Sequence, residues 1–329
     1  MKEFGAQIAL EGFGKEYFSV KYDEKQILRL NSARYAIIAS YYDGKYDKIW
    51  VPVYMCSTVT ESLDRYNIPY VEYNINSDFT PYIESIPSND CIMITNYFGL
   101  MDSNTIKQMV NKFKNVIFDN SQAFYSCSVI EKNVYNVYSP RKFFGVADGA
   151  YVVAKQFNIE HNYDMDLSYE RVAYLAKAKE LGNNATYEDY LINEKGISEA
   201  GIMNMSVLTQ TILSNVDYNM VFDKRRENYL VLNEALSKVD INSREFKLGD
   251  DCVPMIYPLI VNDEHGEFRK YLISNNVYVS QWWKRVLQHE KSNDFEKEMS
   301  QNLFPIPIDQ RYSYDDIMCL VDIISAFWR

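Results

Sequence analysis

Residues 115–154 constrain this chain more than any other stretch. Val116-Ile117-Phe118 is a short apolar run that stops at Asp119, which predicts a buried parallel strand with a polar loop at its carboxyl end. In an open α/β sheet, ligands sit at that end. Lys142 stands twenty-three positions after Asp119, in an aromatic, Gly-punctuated stretch leading to a second strand-like run, Ala150–Ala154.

A carboxylate at a strand end and a lysine in an apolar pocket suit pyridoxal phosphate. A lysine amine whose pKa is lowered by desolvation condenses with the aldehyde. The aspartate keeps the pyridine nitrogen protonated, so that the ring acts as an electron sink. Each residue also has a plainer reading: a strand-end turn residue for Asp119, an exposed loop lysine for Lys142.

Asp119-x-x-Gln122, Ser139-Pro140-Arg141-Lys142 and Asp148-Gly149-Ala150 together resemble the cofactor core of fold-type I pyridoxal-phosphate enzymes, in the sugar-aminotransferase (DegT/DnrJ-like) branch. The resemblance runs loosely from about residue 28 to the C-terminus. It implies an α/β, aspartate-aminotransferase-like fold: a mostly parallel large-domain sheet flanked by helices, and a smaller α+β C-terminal domain. It further implies a homodimer using pyridoxal 5'-phosphate, an amino-acid donor such as glutamate, and a nucleotide-linked keto-sugar acceptor. Lys142 would hold the cofactor and serve as the base. Asp119 would face the ring nitrogen, Gln122 the phenolic oxygen or ring face, and Ser139 the phosphate.

The resemblance also carries departures. Where the family has a small hydroxyl residue at a helix start, this chain has Ser32-Ala33-Arg34. Ser32 and the amides of Ala33 and Arg34 take over the phosphate there, with Arg34 either adding a charged contact or marking a changed site; a plain capped core helix is the alternative. Tyr54 and Tyr97 are the ring-stacking candidates, with core tyrosines as the alternative, although the usual stacking position falls near Cys56. The family's serine five residues before the lysine is Val137. Its Asn-x-Arg run is reduced to Asn204 within Gly201–Ser206. Trp282, Trp283 and Lys284 lie in the region that shapes the substrate mouth, where core or interface tryptophans are the plainer reading. A sugar dehydratase would carry histidine at the lysine position, so Lys142 speaks against it. A non-catalytic relative that uses the fold for binding remains open.

A net charge of −11 gives no reason to expect a nucleic-acid partner. Five cysteines without C-x-x-C spacing point to reduced structural thiols and a cytoplasmic location. Three histidines offer no metal cluster, and no apolar run is long enough to span a membrane.

Along the chain, residues 1–30 read as an arm with one or two short strands and glycines at 5, 12 and 14. Residues 31–215 read as the cofactor-binding domain and 216–329 as the small domain. Helices are expected at 33–41 and 103–113, with strands at 48–53, 68–73 and 91–95. One long helix is expected from Ser206 to Leu236, its Lys224-Arg225-Arg226 run on a solvated face. A strand over 253–261, a helix over 266–275, a short strand over 277–280 and a closing helix to Trp328 complete the reading.

Overall fold

Apolar runs of four or five residues, separated by helix-length segments, build a parallel sheet. The computed structural model describes residues 8–239, 244–263 and 265–328. Strands β1 (Ile27–Leu30), β2 (Ile49–Pro52), β3 (Tyr70–Tyr73), β4 (Cys91–Thr95), β5 (Val116–Asn120), β6 (Val134–Tyr138) and β7 (Ala150–Ala154) form one sheet, ordered β1-β7-β6-β5-β4-β2-β3. β2 to β6 run parallel, while β7 pairs antiparallel with both β6 and β1. The central strands are buried on both faces, which explains their unbroken apolar sequences. Ile92, Ile94, Val116 and Phe118 face one core; Cys91, Met93 and Ile117 face the other.

The helices are α1 (Tyr17–Lys21), α2 (Ala33–Gly44), α3 (Ser57–Arg65), α4 (Ser103–Lys112), α5 (Ala173–Leu181), α6 (Tyr187–Ala200), α7 (Val207–Ser214), α8 (Tyr218–Ser237), α9 (Glu267–Ser274), α10 (Asp294–Asn302) and α11 (Tyr314–Ala326). β8 (Ile256–Ile260) and β9 (Leu303–Pro307) pair antiparallel. With α8, α9 and α11 they enclose a separate core around Leu232, Leu259, Phe268, Phe304 and Ile317. The architecture is therefore the expected one: a mostly parallel, helix-flanked sheet followed by a smaller α+β unit.

Several expectations change. β1 belongs to the large sheet rather than to an arm, and a helix, α1, precedes it. The first seven residues, Gly5 among them, lie outside the described residues. β6 was not expected: its Val-Tyr-Asn-Val-Tyr sequence is buried throughout, with Asn136 at its centre. Asn136 Nδ2 donates to the Val129 and Val153 carbonyls, which is how a polar residue sits inside the sheet. Residues 277–280 form no strand.

The long helix breaks between Ser214 and Tyr218. There Asn215 turns its side chain to the Phe13 amide and the Glu11 carbonyl, and Asp217 caps the new helix by accepting from the Met220 amide. The basic run is no solvated face. Arg225 is 2% exposed, on the inward side of α8 with Val221, Asn228, Tyr229 and Leu232, and Arg226 donates to the carbonyls of Gly249 and Cys252. Cys91 and Cys252 are buried, but Cys127 and Cys319 are exposed. Among the described residues no helix is long and apolar enough to cross a membrane, and no side-chain group is suited to hold a metal ion.

Candidate active site

β3 pairs with one side of β2 and β4 with the other, so the chain reverses its direction of travel across the sheet there. The loops leaving β2, β4, β5 and β6 gather along this carboxyl edge, where open α/β sheets bind ligands. They carry Tyr54 and Cys56, Tyr97, Gln122, and Ser139 with Lys142. Asp119 is the next-to-last residue of β5, opposite Thr95 and Val137. Its Oδ1 accepts from the Ser121 amide at 3.0 Å, which fixes the carboxylate and leaves Oδ2 for a ligand.

Lys142 closes a single turn, Pro140–Lys142, in which proline takes the first position. The amides of Phe143 and Phe144 both return to the Pro140 carbonyl. The turn is held from several sides. Gln310 Nε2 donates to the Phe143 carbonyl at 2.8 Å, and the Arg225 guanidinium lies 4.5 Å from the centre of the Phe143 ring. Asn193 Nδ2 donates to the Ala147 carbonyl at 2.9 Å, and the Gly149 amide to the Asn31 carbonyl at 2.7 Å. Gly149 has φ +124°, and a Cβ there would stand 3.0 Å from Pro140 Cγ, so glycine is required.

Lys142 is exposed, so the enclosed apolar pocket expected around it is not formed. The protein around it still desolvates the amine and lowers its pKa from the ordinary lysine value. Asp119 and Cys56 oppose that shift, while Arg141 and Arg34 add to it. Asp119, Arg141 and Arg34 thus stand close enough for their charges to bear on the amine. Tyr138, Phe143 and Phe144 contribute bulk from the adjacent aromatic core.

Ser32 precedes α2 in an extended conformation, and its hydroxyl does not cap the helix. The Ser32 carbonyl takes the amides of Tyr35 and Ala36, so those of Ala33 and Arg34, one turn too early for an intrahelical bond, remain for a ligand. Arg34 Nη2 lies 4.0 Å from Glu194 Oε2. The Ser139 hydroxyl likewise does not cap its turn. Gln122 is buried and its Oε1 accepts from the Phe98 amide at 2.9 Å. That bond holds the β4 loop, so only the amide nitrogen of Gln122 is left for a ligand.

Other expectations need correction. Tyr54 and Tyr97 have exposures of 0% and 3%. Their rings pack on Trp283 and on each other, and Tyr97 donates to the Tyr54 carbonyl, so neither presents a face on which another ring could stack. Cys56 stands at the start of α3, partly exposed, and supplies no ring to stack. Asn204 forms bridges with Leu30 and Met165, and its Nδ2 donates to the Tyr163 carbonyl, so its amide nitrogen serves the fold. Trp282 and Trp283 pack on the main core, Trp283 in a left-handed conformation with φ 52°, while Lys284 is exposed.

The donor set suits pyridoxal phosphate: a reachable amine, a carboxylate oxygen without a protein partner, and hydroxyls and amides not used by the fold. Arg225 and Glu194 were missed as site-forming residues. Helical phase could have revealed Arg225, whose neighbours at i−4, i+3 and i+4 are buried with it; no local signal pointed to Glu194.

No family model matches the sequence, and no curated protein does. Solved structures share the fold. A sugar aminotransferase from Micromonospora echinospora superposes with a TM-score of 0.62 at 14% identity, over 92% of this chain and 88% of that one. A Streptococcus pneumoniae chain solved in its PLP-form gives 0.65 at 11% identity, over 97% and 93%. DesI, solved in the presence of its TDP-sugar product, gives 0.58 at 12% identity, over 91% and 80%. At these identities the likeness is one of fold, and that fold is the aminotransferase one.

Proposed function

We propose that this chain is a pyridoxal-phosphate-dependent aminotransferase. It moves an amino group from an amino-acid donor to the keto group of a nucleotide-linked sugar, and works as a cytoplasmic homodimer. The observation that carries the reading is Lys142, reachable on the carboxyl edge of the sheet, with its amine under the influence of Asp119. The fold shared with a sugar aminotransferase and with a chain solved beside a TDP-sugar supports the substrate class.

In this reading the cofactor, when bound, supplies the electron sink. Lys142 would hold it through Nζ and, when free, would serve as the base that takes up and returns the proton. The lowered pKa raises the share of neutral amine at physiological pH, which both tasks need. Asp119 Oδ2 would face the ring nitrogen and favour its protonated form. Ser32, Ser139 and the amides of Ala33 and Arg34 bind the phosphate, while the Gln122 amide nitrogen orients the ring. Lys284, exposed beside the tryptophans, is available to the acceptor.

The purified protein with pyridoxal phosphate is expected to show a visible absorption band that glutamate bleaches. The pH midpoint for forming the band should fall below the ordinary lysine value of about 10.4. Lys142→Ala should abolish the band. Its persistence in that variant overturns the assignment, and failure of any amino donor to bleach it overturns the aminotransferase reading.

A further inference from the structure

Beside Lys142, three side chains from three elements meet: Arg34 from the first turn of α2, Arg141 from the lysine turn and Glu194 from α6. Arg141 Nη2 donates to Glu194 Oε1, and Arg34 Nη2 lies 4.0 Å from the other carboxylate oxygen. The two guanidinium side chains are 11% and 15% exposed. Two guanidinium groups thus share one ion-pairing carboxylate in a largely dry place. Asp148, whose negative charge also acts on Arg141, spends its hydrogen bonds on Ser206 and Thr209 and makes none to either guanidinium. Arg141 Nε is buried without an acceptor. The pair also bonds Glu194 poorly: Arg34 lies beyond hydrogen-bond length, and Arg141 reaches one oxygen only. Guanidinium forks prefer two-pronged contact with planar or tetrahedral oxyanions.

Glu194 is the least buried of the three. Its side chain is 26% exposed, and on α6 only Asn193 and Ile197 are buried. A change of rotamer would carry the carboxylate into solvent without moving the helix.

We infer that Arg34 and Arg141 form an oxyanion subsite beside the lysine, and that Glu194 is a built-in carboxylate which an incoming phosphate or carboxylate group displaces. The identity of that incoming group rests on the cofactor reading above; the subsite itself does not. In the bound state both guanidinium forks grip the ligand's oxyanion, and Glu194 faces water.

The test uses Glu194→Gln, which keeps the shape and removes the competing charge, with titrations of pyridoxal phosphate and of pyridoxal, which lacks the phosphate. If the displaced anion makes way for phosphate, the variant binds pyridoxal phosphate roughly 10- to 100-fold more tightly, the span of one hydrogen bond to a charged group, and pyridoxal no differently. If it makes way for the amino acid, pyridoxal phosphate affinity is unchanged and glutamate bleaches the band at a lower concentration. Either result supports the subsite. Inorganic phosphate alone should raise the thermal midpoint of the cofactor-free variant more than that of the wild type. This last arm stands even if no visible band forms, an outcome that would refute the aminotransferase proposal alone. Should Glu194→Gln fold poorly, Glu194→Asp, which withdraws the charge by one methylene, is expected to give a smaller change of the same sign. Equal responses of variant and wild type to all of these ligands would reduce Glu194 to a structural tie and overturn the inference.

Discussion

Arg225 shows how a single side chain can support a site it does not enter. Its guanidinium lies over Phe143, the neighbour of Lys142, and its Nη1 donates to the Met255 carbonyl at 2.9 Å. Burial pushes its pKa down to about 10, so it remains charged at neutral pH and needs those partners. Arg225→Met should lower the unfolding free energy by about 2–4 kcal/mol, because it abandons a buried carbonyl and a cation–ring contact. Arg225→Lys should not restore the loss, since an ammonium lacks the planar fork. Urea unfolding of the three proteins is the check. At this scale the sequence was legible where chemistry is local: a carboxylate ending an apolar run, a lysine following a proline turn. It misled where a residue's setting is made by distant chain. Arg225 sits in a basic run that reads as solvated, and Tyr54 and Tyr97 read as stacking rings until Trp283 closes over them.

Among the elements, the break between α7 and α8 is the sharpest departure from a periodic pattern. Apolar spacing runs through it without interruption. The chain turns because Asn215 prefers partners at residues 11 and 13, and because Asp217 starts a fresh helix. Asp217→Ala removes the acceptor of the Met220 amide and should cost about 1 kcal/mol, the usual value of a lost N-terminal cap. A matching fall in the urea midpoint would verify it, whereas an unchanged midpoint would show the cap to be idle. β2, β4 and β5 were readable because strands buried on both faces carry continuous apolar sequence. β6 was hidden by Asn136, whose amide finds its carbonyls only once β7 is in place.

In the whole molecule, charged side chains tie separate segments together. Glu72 at the edge of the large sheet faces Arg285 and His289, and Glu296 of α10 accepts from the Ile75 amide and Asn74 Nδ2. On the other side, the Asp43 carboxylate near the end of α2 takes Tyr135 at 2.7 Å, the Asn158 amide at 2.9 Å and His161 Nε2 at 3.1 Å. Burial alone would push the Asp43 carboxyl up. The hydrogen bonds from His161, Tyr135 and the Ile159 and Asn158 amides outweigh it and hold the pKa below the usual range. A group with a depressed folded pKa contributes stability above its unfolded value, about 3.9, and that contribution is lost as pH falls through the folded value. Asp43→Asn should therefore cost about 3 kcal/mol at pH 7. The gap from wild type should narrow as pH approaches 3, and urea titrations at the two pH values measure it. Asn31 joins still more distant chain. Its backbone meets Gly149 and Met203, and its side chain meets the carbonyl of Gly201. During synthesis, the helix start and the lysine turn must therefore wait for a clasp that emerges from the ribosome more than fifty residues after the lysine itself, so this edge of the sheet is among the later features of the nascent chain to set.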